Sequence, residues 1–318
     1  MASTAMTFLR YILERLLHAL PVLLGVTIFV FFAIQLVPGD PVRIMMHGRV
    51  SDLEVQAIYE RLGMNRPVLV QYADFLRKVV VGNLGTSIIQ NAPVTSLILE
   101  KFWPTIWLLA SGAVISVLLA LPLALLSAFY RNRWADHVIR VASMVGFAMP
   151  PFWIGLLLIL GFGLWLGWFP IAGFGQDAAG HLHHMFLPGL TIALFLAPIL
   201  VQSLRSSMLD VLAADYIEVA RAKGLSEWRI LLKHVLRNAL IPAITVLAVN
   251  ISWLVSGAVI VEYVFSLPGM GSLLVRSVGF RDYPVIQGLA LVFAVIVIVV
   301  NLLADLSYML VDRRVLKT

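Results

Sequence analysis

The chain has no cysteine among its 318 residues, so it forms no disulfide and offers no thiolate to a metal. Charge is also scarce: Asp, Glu, Lys and Arg make up only 13% of the residues. That is far less than a disordered chain or an ordinary soluble domain carries. No G-x-x-x-x-G-K-[ST] occurs, so the chain has no loop built to cradle the phosphates of ATP. H-E-x-x-H and G-x-S-x-G are also missing, and no histidine or carboxylate sits within an apolar run beside a serine. A membrane-embedded hydrolase is disfavoured on those grounds.

Apolar residues dominate instead. They make up 61% of the chain, and the mean hydropathy is +0.95. Six apolar runs stand out, at roughly 19–37, 104–130, 141–168, 187–204, 239–264 and 285–311. Runs of about 20 residues cross a hydrocarbon core of about 30 Å, and in lipid they must be helices, because every backbone N–H needs a local partner. The expected class is an all-α polytopic membrane protein with six spans. The N-terminal stretch is basic and then apolar like a signal peptide, but no small-residue cleavage site follows, so it reads as an uncleaved first span. Pro104, Pro188 and Pro242 are expected at helix starts, where a missing N–H costs nothing.

The basic residues set an expected orientation. With the N-terminus cytoplasmic, 14 of the 23 Lys and Arg fall on that side, including Arg131, Arg133, Arg140, Arg205 and the terminal Arg313, Arg314 and Lys317. The segment 169–186 has none. This bias places both termini on the cytoplasmic side. It also accounts for the pI near 9.8 with no sign of nucleic-acid binding.

Residues 38–103 are too long for a turn and too polar to span, and read as a small helical extracytoplasmic subdomain. Ser51-Asp-Leu-Glu54 is a capping box before an amphipathic stretch that stops at Gly63. Pro67 opens a second stretch, with Leu69, Tyr72, Phe75, Leu76 and Val79 at helical spacing. The division is therefore 1–37 for the N-terminus and first span, 38–103 for the subdomain, and 104–318 for a five-helix core.

Within that core, the cytoplasmic loop expected at 205–240 overlaps a strongly charged stretch, DYIEVARAKGLSEWRILLKHVLRNALIP, at 215–242. Asp215 is positioned to cap a short helix, with Glu218 completing the box, and Gly224 suits a left-handed helix end. Ser226 is positioned to cap a second helix. There Trp228, Leu231, Leu232, Val235 and Leu236 form one face, and Arg229, Lys233 and Arg237 the other, as in a helix lying on the membrane surface. The first helix is slim, with Ala213, Ala214, Ala220 and Ala222, and Glu218 is expected to pair locally with Arg221. A charged loop is ordinarily a solvated connector, whereas a slim, rigid helix also suits a groove on another protein.

Glu218-Val-Ala220-Arg-Ala-Lys-Gly224 resembles the EAA loop of binding-protein-dependent ABC importer permeases, in its peptide-type form. Further segments match that branch in order: Pro38-Gly39-Asp40-Pro41, Leu62-Gly63 with Pro67 and Gln71-Tyr72, Asn83-Leu84-Gly85-Thr86-Ser87, Arg205 to Leu209, and Phe265-Ser-Leu-Pro268-Gly269-Met-Gly271. The chain is similar to the "B" permease of dipeptide, oligopeptide, nickel or glutathione importers. Two features depart from the general pattern. Gly224 and Pro242 are 18 positions apart, which the peptide branch shares, and Gln202 stands where that branch often has another arginine.

The resemblance implies the type I importer permease fold and half of a translocation pathway for di- or oligopeptides. Glutathione, nickel complexes and opine-like solutes are alternatives. It also implies a homologous second permease, two cytoplasmic ATPases that bind the ATP and Mg, and an extracytoplasmic solute-binding protein. Asp215, Tyr216, Glu218, Ala220, Ala222, Lys223 and Gly224 would meet an ATPase, with Glu218 making the polar contact, Ala220 the close packing and Gly224 the turn. No cofactor is expected on this chain.

On the outer side, Glu262, Phe265, Pro268, Gly269, Met270 and Gly271 are expected to form a docking segment or gate. There Pro268 stops the helix while Gly269 and Gly271 permit a tight turn. The bland alternative is a turn that anchors the fifth span. Met149-Pro150-Pro151 is expected to kink the third span, as a packing feature or as a bend lining the pathway together with Asn250. Asn250, Asn301 and Gln202 suit hydrogen bonds between helices. An ion-coupled secondary transporter is the rival class, but Glu262 and Asp305 fall near span ends rather than the midplane where proton relays sit. His181, His183 and His184 offer three imidazoles in the loop before the fourth span. Such a cluster is ordinarily only surface, and no metal is assigned.

Overall fold

The computed structural model describes residues 2–36, 53, 56, 59–60 and 65–311. Pro38 to Pro41, the Ser51 capping box with its stop at Gly63, and the terminal Arg313, Arg314 and Lys317 lie outside the described residues.

Where described, all six predicted runs are helical over most of their length. Among the described residues, Leu13–Gln35, Val94–Phe129, Ala178–Leu212 and Tyr283–Leu303 are long and apolar enough to cross a membrane. A bent pair, Trp134–Ala148 and Pro151–Trp165, makes five if it is one span. The remaining run is the 29-residue helix Leu236–Val264, roughly 43 Å at about 1.5 Å per residue.

The helices overrun the apolar runs, which corrects the expectation for the prolines. Pro104 and Pro188 lie well inside Val94–Phe129 and Ala178–Leu212, and Pro242 lies inside Leu236–Val264. The polar segments just before each proline are themselves helix-forming, and a spanning helix tolerates the loss of one ladder bond. At Met149-Pro150-Pro151 the opposite happens. Two adjacent prolines hold Met149 and Pro150 extended, at ψ 130° and 138°, and the helices on either side diverge by 102°. This is a break, not a kink. Pro151 occupies the first turn of the new helix, where its ring is tolerated, and that helix ends in a π-helical stretch, Ile159–Trp165.

The chain forms two compact units. One comprises Met1–Trp103 with Pro268–Ile298, the other Pro104–Leu267 with Val299–Thr318. In the first unit, helix Val68–Val80 starts after Pro67 as its spacing predicts. Tyr72 and Phe75 pack their rings 5.3 and 6.0 Å from Phe31, and the Tyr72 hydroxyl lies 3.1 Å from that of Thr27. Leu69 faces outward, against expectation. Further on, the 83–93 loop closes with a bridge between Thr86 and Pro93. Ser87 and the amide of Ile88 both donate to Asp282, the residue that follows left-handed Arg281 at the end of helix Met270–Phe280.

In the second unit, Val94–Phe129 crosses Ala178–Leu212 at small residues. A Cβ at Gly112 would come within 2.6 Å of Ile192, and one at Gly189 within 2.7 Å of Ser111. Small residues that let a facing side chain pack closely are how helices associate where lipid supplies no hydrophobic drive.

Candidate functional site

The charged loop begins with helix Asp215–Ala222. Ala214, not Asp215, is its N-cap, and no side chain closes the cap; Asp215 stands one position inside, where its charge still favours the positive helix end. Ile217 and Ala220 face inward and are buried. Ala220 therefore packs on its own chain and is not part of an outward slim face. Asp215, Tyr216, Glu218, Val219, Ala222 and Lys223 are exposed.

Gly224 turns the chain at φ +75°, in the left-handed region its position predicts. The expected Glu218–Arg221 pair gives way to another. Arg221 reaches across the turn and holds Glu227 through two hydrogen bonds, of 2.8 and 3.3 Å. These bonds hold the Glu227 carboxyl below its ordinary value and Arg221 above its own. The reason is geometric: Glu227, in the first turn after Ser226, presents both oxygens to the planar guanidinium. Ser226 is the N-cap position but makes no side-chain cap bond.

The second amphipathic segment is not a separate surface helix. Glu227–Ile230 passes through a π-helical stretch, Leu231–Val235, straight into Leu236–Val264. Its predicted apolar face holds in part: Leu231 and Val235 are buried, Leu232 is exposed, and Trp228 stacks on Phe129 at 4.7 Å. Arg229, Lys233 and Arg237 are exposed, as the stripe predicts. The short helix is thus fixed at its base by Ile217 and at its end by the Arg221–Glu227 clamp, and its exposed face is tied at one point, where the Tyr216 hydroxyl accepts from Asn238 at 3.1 Å.

Just before this loop is a constellation that the sequence reading missed. Arg205 donates to both oxygens of Asp136, at 2.8 Å each. Ser127 and the amide of Asn132 add two further bonds, and Asp136 is fully buried. The signal was present, since Asp136 is the only acid between Glu100 and Asp177. Arg205 lies in one of the segments that match the peptide branch, and it pairs with Asp136 although position 202 is glutamine.

The outer segment proves mostly internal. Glu262, Phe265, Gly269, Met270 and Gly271 are buried and Pro268 is half-buried, while Tyr263 and Ser266 are exposed. Thr105 donates to Glu262, and Phe265 packs over Gly155, where a Cβ would meet its ring at 3.1 Å. The turn chemistry also differs from expectation. Ser266 is the left-handed residue, at φ 48°, whereas Gly269 is extended and caps helix Met270–Phe280, which contains Gly271. The preceding helix ends at Val264 with left-handed Ser266 just beyond its cap, ahead of Pro268, and the chain needs only that one left-handed step.

The histidines lie inside helix Ala178–Leu212, not in a loop. Each ring meets a different backbone carbonyl: His181 that of Phe174, His183 that of Trp168 and His184 that of Gly180. Among the described residues no group of three potential ligands converges. Of the pathway candidates, Met149 is half-buried and Pro150 exposed. Asn250 donates within its own helix, to the Val246 carbonyl at 2.7 Å, and not across to another.

Long apolar helices, one of them broken, together with a short clamped helix exposing a charged face, define a polytopic helical permease of the type I importer fold. The comparisons identify its family. The description "Binding-protein-dependent transport system inner membrane component" matches residues 120–317, and that of its N-terminal component matches 8–109. The chain belongs to this family. It is 40% identical to the glutathione transport system permease protein GsiC of Salmonella choleraesuis, over 96% of this chain and 99% of that one. It is also 40% identical to the oligopeptide transport system permease protein AppB of Bacillus subtilis, over 96% and 98%. A solved structure of the MetNI methionine ABC transporter, in an inward-facing conformation, superposes with a TM-score of 0.58. Its identity is 16%, covering 69% of this chain and 97% of that one, and the likeness is one of fold.

Proposed function

We propose that this chain is the membrane subunit of an ATP-driven peptide importer and that Asp215–Ala222 is the helix through which it is driven. The observation that carries the reading is the helix itself: Ile217 is buried beneath it, Arg221 and Glu227 clamp its end, and Asp215, Tyr216, Glu218, Ala222 and Lys223 are presented outward. A rigid polar face of this kind transmits a push where a slack loop would absorb it. The chain has no phosphate-cradling sequence of its own, so ATP and Mg belong to two cytoplasmic ATPase subunits. One such helix per chain, against two ATPases, calls for a homologous second permease. A solute-binding protein delivers from outside, and both termini face the cytoplasm.

Equal identity to a glutathione permease and an oligopeptide permease favours what those two solutes share, a short peptide backbone. In the outer segment, Tyr263 and Ser266 offer the exposed contact, and the buried residues from Glu262 to Gly271 hold the gate in place. The chain's lack of cysteine makes a direct test simple. A single Glu218→Cys in the assembled importer should cross-link to a cysteine placed in the ATPase groove and should lose that cross-link when moved to the buried Ile217. Uptake of labelled trialanine and of glutathione by the same complex then separates the two solutes.

A further inference from the structure

Helix Trp134–Ala148 carries two rows of side chains on adjacent faces. Trp134, Val138, Val141 and Val145 form an exposed apolar row, with Trp134 at 79% exposure. Arg133, His137 and Arg140 form a basic row beside it, one residue and therefore about 100° away. Among the described residues, Asp136 is the one carboxylate that pairs with this row, and all four of its acceptor positions are taken: two by Arg205, one by Ser127 and one by the amide of Asn132. Arg140 is left outside that set. Its Nε lies 3.6 Å from Asp136, is buried and makes no hydrogen bond. Its Nη2 meets His137 Nδ1 at 2.7 Å. A guanidinium only donates, so Nδ1 accepts and the second His137 nitrogen carries a proton. Among the described residues, the ion pairs involve neither Arg131 nor Arg133.

We infer that this face binds one anionic phospholipid, its phosphate between Arg133, His137 and Arg140 and its acyl chains along the row from Trp134 to Val145. The Arg140 side chain is 37% exposed, so the residue is open to a phosphate oxygen from outside, and His137 adds a second donor. Trp134 suits the headgroup level, where amphipathic rings concentrate. The adjoining apolar row selects a lipid over free phosphate, because it needs a non-aqueous neighbour along the length over which the basic row needs an anion.

The test is native mass spectrometry of the full chain in detergent, titrated with phosphatidylglycerol or with phosphatidylethanolamine. Wild type is expected to bind phosphatidylglycerol at least tenfold more tightly. Each removed charge should cost about fivefold in affinity, so Arg133→Gln with Arg140→Gln should lose about 25-fold, and Arg140→Lys should recover most of its share. Arg133→Gln alone, at an exposed position, should lose about fivefold even if the double variant fails to fold. Unchanged phosphatidylglycerol affinity in Arg133→Gln and Arg140→Gln overturns the assignment. Displacement of the lipid by millimolar inorganic phosphate overturns it in favour of a free-anion site. A cross-link from position 140 to a partner subunit's carboxylate, with lipid affinity unmoved, overturns it in favour of a protein contact.

Discussion

Arg205 holds Asp136 through two hydrogen bonds of 2.8 Å across 69 positions of sequence, tying helix Ala178–Leu212 to the start of helix Trp134–Ala148. The pair lies toward the end of the helix that leads into the charged 215–227 segment. Removing one partner strands a buried charge, which costs about 3–5 kcal/mol. Asp136→Asn and Arg205→Gln should each lower thermal stability in mild detergent, and the double variant should lose less than the sum. Strict additivity would show that the two residues act independently.

Gly112 and Gly189 each let a side chain of the facing spanning helix seat against their backbone. A Cβ at Gly112 would have to displace Ile192 from 2.6 Å, so Gly112→Leu is expected to prevent normal packing. Gly25, which has nothing within 4 Å, should accept alanine without loss. Expression and monodispersity on a sizing column separate the two cases.

Gly224 has open space around it but a φ of +75°. Gly224→Val therefore strains the backbone, not the packing. It should leave assembly intact and lower coupled uptake, whereas Gly224→Asn, which tolerates the left-handed region, should retain most of it. Equal uptake by the two variants would show that the turn's conformation is irrelevant.

The Arg221–Glu227 clamp sets an expected pH response. The Glu227 carboxyl is held below its ordinary value by the Arg221 hydrogen bonds. Its contribution is therefore complete above the ordinary carboxylate range and disappears only as pH falls through the lowered value. Both side chains are exposed, so the contribution is at most about 1 kcal/mol. Between about pH 6 and 8 the pair stays ionised, so its titration should not change uptake. Glu227→Gln should reduce hydrogen-exchange protection of residues 215–224 by a few-fold at neutral pH, and that deficit should vanish in acid.

Much of this architecture is legible in the sequence because lipid imposes simple rules. Apolar length gives the spans, and Gly224 gives the turn. Where reading fails, a competing local effect decides. Helices run past Pro104 and Pro188 because the residues before each proline also favour helix. The double proline at 150 and 151 breaks a span because each restrains the residue before it. Ala220 looks free in a slim helix, yet helical phase puts it on the same side as Ile217. The Asp136–Arg205 and Ser87–Asp282 pairs are long-range, and nothing in local periodicity announces them. A lone acid in a long apolar stretch is the one hint, since such a charge needs a buried partner.

The central claim is that the exposed face of Asp215–Ala222 transmits the work of ATP hydrolysis, and Glu218→Lys tests it most directly. The substitution reverses one charge on an exposed helical face and touches no buried contact, so the complex should assemble with unchanged stability. Peptide uptake and binding-protein-stimulated ATP hydrolysis, measured on the same reconstituted complex, should both fall at least tenfold while basal hydrolysis by the ATPase subunits persists. Wild-type uptake from a fully assembled Glu218→Lys importer would contradict the claim.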